Sequence, residues 1–580
     1  MIKKISTHKL TLTLYTVLLI ILAYLLNWHF RLALTRYFDV DEFAHLHWGY
    51  NLWSGKYPFR DFFYIFPPFF LYTIAAIIQF FGRSVASLIM ARVVIFMAFC
   101  AIALMTFFIA RKLSNTLTAL ISVIILSILP IPGDKMLEIR PDNIALFLSL
   151  SAFYVFILAH EKKSRIMFFL SGLFFSVSLG FVPKTIFFLI PPVVILIYDF
   201  LTLSGNHNFN DLKHYFLPFF TGIIIPAIAV ILLFIYYQKP ILAIQSITSI
   251  SAAITTLLGV KFYMRPDIFL YPNDTYYGLN GYSSGYLLNL LLYFSASIFA
   301  VFFTLSSLSH KTHEKCVREF MTGATFFLSL YAFVYIFPLK HAQYLIPLTP
   351  FISIFFAMFF TKLIQHRYLI RYKSWIIMAV LIYFCLIAKD MFIPKSRWTN
   401  QATLDEVENV LTAIPKNEKI FDLTGESVFF PDGYYFCCLP YGQYDEGIPF
   451  QLPSLEKSLR DNQVHFVHVG EENRLGVIPI YQQKIVETYY VKDKLGMMIA
   501  GKKLDFEQGN ISHNFEIIAG GNYTIFWNGA LKVNGTDTVV RLDEKEVNSE
   551  NVYLSSGKHK ITASQKGELI LKYIFFRQGL

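Results

Sequence analysis

Asp39-Val-Asp41-Glu42-Phe-Ala-His45-Leu-His47-Trp48 sets three carboxylates and two imidazoles just after an apolar run of membrane-spanning length, Leu10 to Trp28. Ionisable groups at the edge of a bilayer are costly unless they face a water-filled cavity or take part in chemistry, so the stretch marks a functional site as well as the end of a first span. The apolar run is too long for a secretory signal and lacks a small-residue cleavage site, and is expected to be a retained helix.

The same reading extends along the chain. Of 580 residues, 55% are hydrophobic, 17% aromatic and only 15% charged, and the mean hydropathy is +0.50. Such a composition belongs to a polytopic α-helical membrane protein. Apolar runs of spanning length fall near 10–28, 86–110, 115–132, 142–160, 166–183, 185–201, 215–236, 285–308, 320–338, 343–362 and 374–391, so about eleven spans are expected. The basic groups between them are Lys3, Lys4 and Lys9; Arg111 and Lys112; Lys162, Lys163 and Arg165; Lys213; Lys311, Lys315 and Arg318; and Lys362, Arg367, Arg371 and Lys373. In an alternating eleven-span arrangement all of them share one side, which places the N-terminus in the cytoplasm and the C-terminal part outside a cell (inner) membrane. The net charge of +11 is then anchoring and topology rather than a nucleic-acid surface.

Pro67 to Gly82 is apolar but short, and counting it as a span would invert every later loop. It is expected to be an interfacial helix inside a large external loop, 29–85. Further external loops are expected at 133–141 and at 237–284, the latter rich in Tyr, Gly, Asn and Pro. The transmembrane domain spans 1–394. After Asp390 the apolar runs shorten to strand length and charge rises. Lys419-Ile-Phe-Asp-Leu, Val464-His-Phe-Val-His-Val and Gly496-Met-Met-Ile-Ala, with a helical stretch near 453–462, predict an external α/β domain over 395–509. Alternating strands and turns predict a β-sandwich over 510–580. The five cysteines do not form a disulfide framework, and the adjacent Cys437 and Cys438 are expected to be two separate thiols.

Asp41-Glu42 after the first span, then Gly55-Lys-Tyr-Pro58-Phe-Arg60-Asp61, Pro67-Pro68-Phe-Phe-Leu-Tyr, Phe81-Gly82 and Ala91-Arg92, resemble the GT-C class of membrane glycosyltransferases. The likeness is to the family 39-like group that includes protein mannosyltransferases and the lipid A aminoarabinose transferase, and it covers roughly residues 1–390. It implies a GT-C-like fold, a polyprenyl-phosphate-sugar donor and transfer on the non-cytoplasmic face. It also implies that the acid of the first loop is a general base that takes the proton of an attacking acceptor hydroxyl. Asp41 is the first choice, with helix capping as its structural alternative; Glu42 is a second catalytic candidate or an orienting group, and Asp39 a solvated flank. Gly133-Asp134-Lys-Met-Leu-Glu138-Ile-Arg140-Pro141-Asp142-Asn143 looks like the family's second acidic loop, with Asp142 catalytic or capping the following span.

A lipid-phosphate leaving group needs fixed cations near the outer interface. Phe66 stands where the aminoarabinose transferase pattern calls for Lys, so the duty must move. Lys184 and Lys340-His341, ahead of Tyr344, are the best-placed donor-binding candidates, with Arg140 and Arg60 behind them; snorkelling of long basic side chains is the structural alternative. Asp41 and His45, four apart, are weak ligands for a divalent metal, and no cofactor is otherwise called for. The sequence thus predicts an enzyme that moves one sugar from a polyprenyl-phosphate donor to a glycan, lipid or protein acceptor by inverting displacement. A lipid-linked-glycan flippase and an envelope-assembly scaffold with a carbohydrate-binding external domain are the alternatives.

Overall fold

The structure, a computed structural model, describes residues 2–203, 209–254, 274–307, 313–337, 342–366, 368–438, 452–470, 474–493, 497–509, 511–531 and 538–574. The helical part runs α1 (Ile2–Thr35), α2 (Val40–Trp53), α3 (Phe69–Phe81), α4 (Val85–Leu113), α5 (Thr116–Ile128), α6 (Asp142–Lys162), α7 (Arg165–Phe181), α8 (Ile186–Leu203), α9 (Phe209–Tyr236), α10 (Pro240–Ile254), α11 (Asp274–Ser307), α12 (His313–Tyr331), α13 (Thr349–Ile364) and α14 (Lys373–Lys395). Among the described residues nine helices are long and apolar enough to cross a membrane: α1, α4, α6, α8, α9 and α11 to α14. The other two expected spans are the shorter apolar helices α5, of 13 residues, and α7, of 17.

Local sequence explains these lengths. The Asn115 side chain accepts from the Thr118 amide (3.0 Å) to start α5, and Pro130 disfavours helix in the residue before it. Leu117 to Ile128 are buried on every face of α5, as expected of a helix apolar all round. α7 packs against α9 through paired glycines: a Cβ on Gly172 would lie 2.0 Å from the Phe219 carbonyl oxygen, and one on Gly222 would lie 2.2 Å from that of Phe169. Small residues let two helix backbones approach this closely where lipid supplies no hydrophobic drive. α3, the expected interfacial helix, follows Pro67-Pro68 and stops at Gly82, whose φ of 72° suits a residue without a side chain. Within 237–284, read as a loop, Pro240–Ile254 and the segment from Asp274 are helical, and 255–273 lie outside the described residues.

Beyond α14 come α15 (Gln401–Ala413), β1 (Ile420–Asp422), α16 (Leu455–Asp461), β2 (Phe466–His468), α17 (Ile480–Tyr489), β3 (Tyr490–Lys492) and β4 (Met497–Phe506). β5 (Ile511–Ile517), β6 (Gly521–Trp527), β7 (Ala530–Leu531), β8 (Val540–Leu542), β9 (Lys545–Glu546), β10 (Asn551–Leu554), β11 (Gly557–Ala563) and β12 (Gly567–Tyr573) complete the chain. One sheet has the order β1-β2-β4-β12-β6-β10, and a second the order β5-β11-β8-β9. β1 and β2 are parallel, and β4 is antiparallel to both β2 and β12. β4 is therefore common property: Met497–Ile499 pair with β2, and Gly501–Phe506 pair with β12. Cys437 and Cys438 correct the expectation of two thiols, for they are joined by a disulfide. Both are buried, in a backbone turn where Cys438 has φ 73°.

The C-terminal unit is seated on the end of the helical bundle that carries Asp41. Asn400 Nδ2 donates to the Leu34 carbonyl (2.8 Å), and Lys395 Nζ to that of Gly133 (2.9 Å). Tyr435 exchanges hydrogen bonds with the first loop, donating from its hydroxyl to the Phe59 carbonyl and accepting at its carbonyl from the Phe63 amide, each at 2.8 Å.

Candidate active site

The loop between α1 and α2 and the loop before α6 meet through charge. Asp39 opens α2 in a capping box: its Oδ1 accepts from the Asp41 amide and its own amide donates to Glu42 Oε1, both at 3.0 Å. Asp39 is thus the cap, neither a solvated flank nor a post filled by Asp41. Released from capping, the Asp41 carboxylate pairs with the Arg140 Nη2 group.

Behind this pair lies a buried network. Glu138 receives Arg140 Nε (2.6 Å), Lys135 Nζ (2.6 Å) and Arg36 Nη2 (2.5 Å). Arg36 Nε also donates to Asp134 (2.9 Å). Glu42, fully buried, accepts from Arg92 Nη2 (2.8 Å) and Nε (3.0 Å) and from the Ile139 amide (2.9 Å). Charges taken out of water are tolerated only when paired and hydrogen-bonded, and here Arg36, Glu42 and Arg92 join the charges of the loop before α6 from three other segments. The network ties α1, α2, α4 and the pre-α6 loop into one rigid floor.

Exposure sorts these acids. The side chain of Asp41 is 46% exposed, that of Asp39 22%, and those of Glu42 and Glu138 are fully buried. Burial pushes the Asp41 carboxyl up, but the Arg140 guanidinium outweighs it and holds Asp41 below the usual carboxylate range. Burial together with the Glu138 and Asp41 charges raises Asp39. Asp41 is accordingly an anion that faces open space from a fixed mount.

Asp142 is the first residue of α6, after the N-cap Pro141, and its carboxylate pairs with Lys184 Nζ, in the turn between α7 and α8. Lys184 Nζ also donates to the Gln343 carbonyl (3.3 Å) and lies 4.9 Å from the centre of the Tyr344 ring. The structure brings Asp41, Arg140, Asp142, Lys184 and Tyr344 to one end of the bundle. Arg60 forks onto Asp61 (2.7 and 2.9 Å) and covers the Tyr57 ring at 4.4 Å. Lys340 and His341 lie outside the described residues.

His45 packs among Trp48, Phe66 and Phe70, with ring centroids 5.1–5.5 Å away, and burial, helped by Arg140, lowers its pKa to about 4. Among the described residues Asp41 and His45 belong to no group of three or more metal-binding side chains. His47 points away, into the C-terminal unit, with Nε2 2.5 Å from Asp432 and Nδ1 2.9 Å from the Val428 carbonyl oxygen.

Sequence reasoning named neither Arg36 nor Lys395, and quoted Arg92, Lys135 and Glu138 within its motifs without giving them a role. A signal was present: Arg36 closes the first span and Arg92 sits within an apolar helix, where a cation needs a partner. Lys395, on α14, is fully buried, and burial lowers its pKa to about 7.

Residues 66–237 match the family model described as dolichyl-phosphate-mannose-protein mannosyltransferase. The sequence matches no curated protein. The structure is similar to that of ArnT from Cupriavidus metallidurans bound to undecaprenyl phosphate, with a TM-score of 0.50 and 11% identity over 84% of this chain and 97% of that one. The apo oligosaccharyltransferase of Archaeoglobus fulgidus gives a TM-score of 0.48 and 11% identity over 82% and 72%. The chain is therefore a polytopic membrane protein of the GT-C fold, and its residues 66–237 carry the pattern of the dolichyl-phosphate-mannose-protein mannosyltransferases.

Proposed function

We propose that the protein is a membrane glycosyltransferase that takes one sugar from a polyprenyl-phosphate donor and passes it to an acceptor hydroxyl at the Asp41 end. The observation that carries this reading is the half-exposed Asp41 anion on a buried charged floor, with Lys184 at the same end. Asp41 takes the acceptor proton as its oxygen attacks the anomeric carbon, the bond from that carbon to the phosphate oxygen breaks, and configuration inverts. The departing lipid phosphate gains negative charge, which Lys184 and Arg140 neutralise. A phosphate that competes for Arg140 weakens its hold on Asp41, and the base strengthens as the proton arrives. Glu42 holds Arg92, Arg36 and the Ile139 amide, and acts by positioning rather than by touching substrate.

Eleven spans, counting α5 and α7 and leaving α3 along the surface, put every basic loop on one side, and so the Asp41 end and residues 395–580 on the other, outside the cytoplasm. The division of that part into 395–509 and 510–580 is supported by the parallel β1-β2 pair in the first and antiparallel pairing in the second, with β4 joining them. The test is to reconstitute the full chain in liposomes with a panel of labelled polyprenyl-phosphate sugars. Transfer with release of free polyprenyl phosphate is expected for at least one donor; donors that only change leaflet, with the sugar–phosphate bond intact throughout, would make the protein a flippase.

A further inference from the structure

We infer that a divalent transition-metal ion of the zinc class binds at the end of the bundle opposite Asp41, between His160, Asp199 and His313. α6 starts at Asp142 in the candidate active site and reaches His160 roughly 27 Å further on, at 1.5 Å per residue. α8 leaves the Lys184 turn and reaches Asp199 near its own far end, and α12 opens with His313. Three separate helices thus deliver one ligand-type side chain each to a common point.

The geometry is that of a set waiting to be drawn onto an ion. His160 Nε2 is 2.8 Å from Asp199 Oδ2 and His313 Nε2 is 2.9 Å from Asp199 Oδ1, with one ligand atom of each residue within 4.8 Å of the others. Zinc bonds of about 2.0–2.1 Å in tetrahedral geometry place neighbouring ligand atoms roughly 3.3 Å apart. Asp199 offers a different oxygen to each imidazole, so binding an ion requires the three side chains to turn onto one point, with the two short contacts opening by roughly half an ångström. His313, half exposed, is free to make that adjustment, while His160 and Asp199 are largely covered.

The surroundings set the class of ion. Two imidazoles and one carboxylate suit zinc, cobalt or nickel rather than the all-oxygen shells of magnesium or calcium. Phe156 and Phe168 flank His160, and Tyr198 stacks on His313, so the walls are aromatic. Glu161, next to His160 in sequence, is occupied by Lys112 (2.5 Å) and Arg318 (3.6 Å). The fourth position is left to water or an outside ligand. A bound ion would clasp the start of α12 to the ends of α6 and α8.

The test uses full-length protein in detergent, stripped with a chelator and titrated with Zn²⁺ against a chromophoric competitor. Co²⁺ is added in parallel for its visible ligand-field bands. One saturable equivalent is expected in the parent protein, weakened by at least roughly tenfold in His160→Gln and in His313→Gln, with loss of the Co²⁺ bands. His313→Gln, at a half-exposed position, keeps the test open if the buried variant does not fold. No saturable binding in the parent, or binding unchanged in folded His313→Gln, would overturn the proposal and leave a hydrogen-bonded His–Asp–His bridge.

Discussion

Asp41 and Asp422 are both acids paired with cations, and they differ in what surrounds the pair. Asp422, at the end of β1, is almost fully buried and accepts from the amides of Thr424 (2.8 Å), Gly425 (2.7 Å) and Ser427 (2.8 Å). Its partner His468 ends β2 in the same sheet, 3.6 Å away. Burial pushes the His468 imidazole down, but Asp422, Glu406 and Glu426 outweigh it and lift its pKa to about 10. Both oxygens of Asp422 hold a loop, and that loop packs its Gly425 against the backbone of Phe43 and Ala44 in α2. Asp41, by contrast, has one strong partner and an open side. Saturated acids organise backbone, and partly satisfied, exposed ones are left to react.

This contrast is most easily broken at Asp422. Asp422→Asn leaves the buried His468 imidazolium with only the more distant Glu406 and Glu426 (4.0 and 3.8 Å), and should cost about 3 kcal/mol of stability in thermal or denaturant unfolding. Activity per folded molecule should hold, and a variant that is stable but inactive would move Asp422 to the chemistry. Next in size is Lys184. Loss of a charge-assisted hydrogen bond to the lipid phosphate in Lys184→Met should weaken donor binding by roughly ten- to a hundredfold, about 1.5–3 kcal/mol. Lys184→Arg should retain part of it. Parent-like affinity in the Met variant would reduce Lys184 to a snorkelling side chain.

A smaller and more diagnostic effect concerns pH. The Asp41 pKa is held below its ordinary value by Arg140, so the active anion is lost only as pH falls through that depressed value. In Arg140→Gln the burial that raises the pKa is unopposed by this partner, and the acid limb of kcat/KM should move to higher pH. A limb that stays in place would separate Arg140 from Asp41. Smallest of all is Arg60→Gln, in a partly exposed pair between neighbouring residues, which should leave turnover within about threefold; a large loss would place Arg60 in the donor site.

The sequence made the membrane class legible because hydropathy and basic loops are additive signals spread over many residues. Asp41, Arg140, Asp142 and Lys184 were also visible, since charges at span ends have little other reason to exist. The floor beneath them was not. Arg36, Arg92 and Glu138 come from segments about fifty residues apart or more, and nothing local in sequence says that three charges will share one burial site. The Cys437–Cys438 disulfide escaped for a different reason: adjacent cysteines usually sit too close for relaxed bridge geometry, so composition argues against what the turn at Cys438 permits. β6, β10, β11 and β12 lie in stretches whose side-chain alternation is legible, but the double use of β4 is not, because a strand's partners are set by the rest of the sheet.

If Asp41 takes the acceptor proton from a mount that does not depend on it, Asp41→Asn should fold and bind donor like the parent, while its single-turnover rate at saturating donor falls by about 10²–10⁴-fold. Donor affinity and folded yield are measured on the same sample, and near-parent transfer by the folded variant would remove Asp41 from the chemistry.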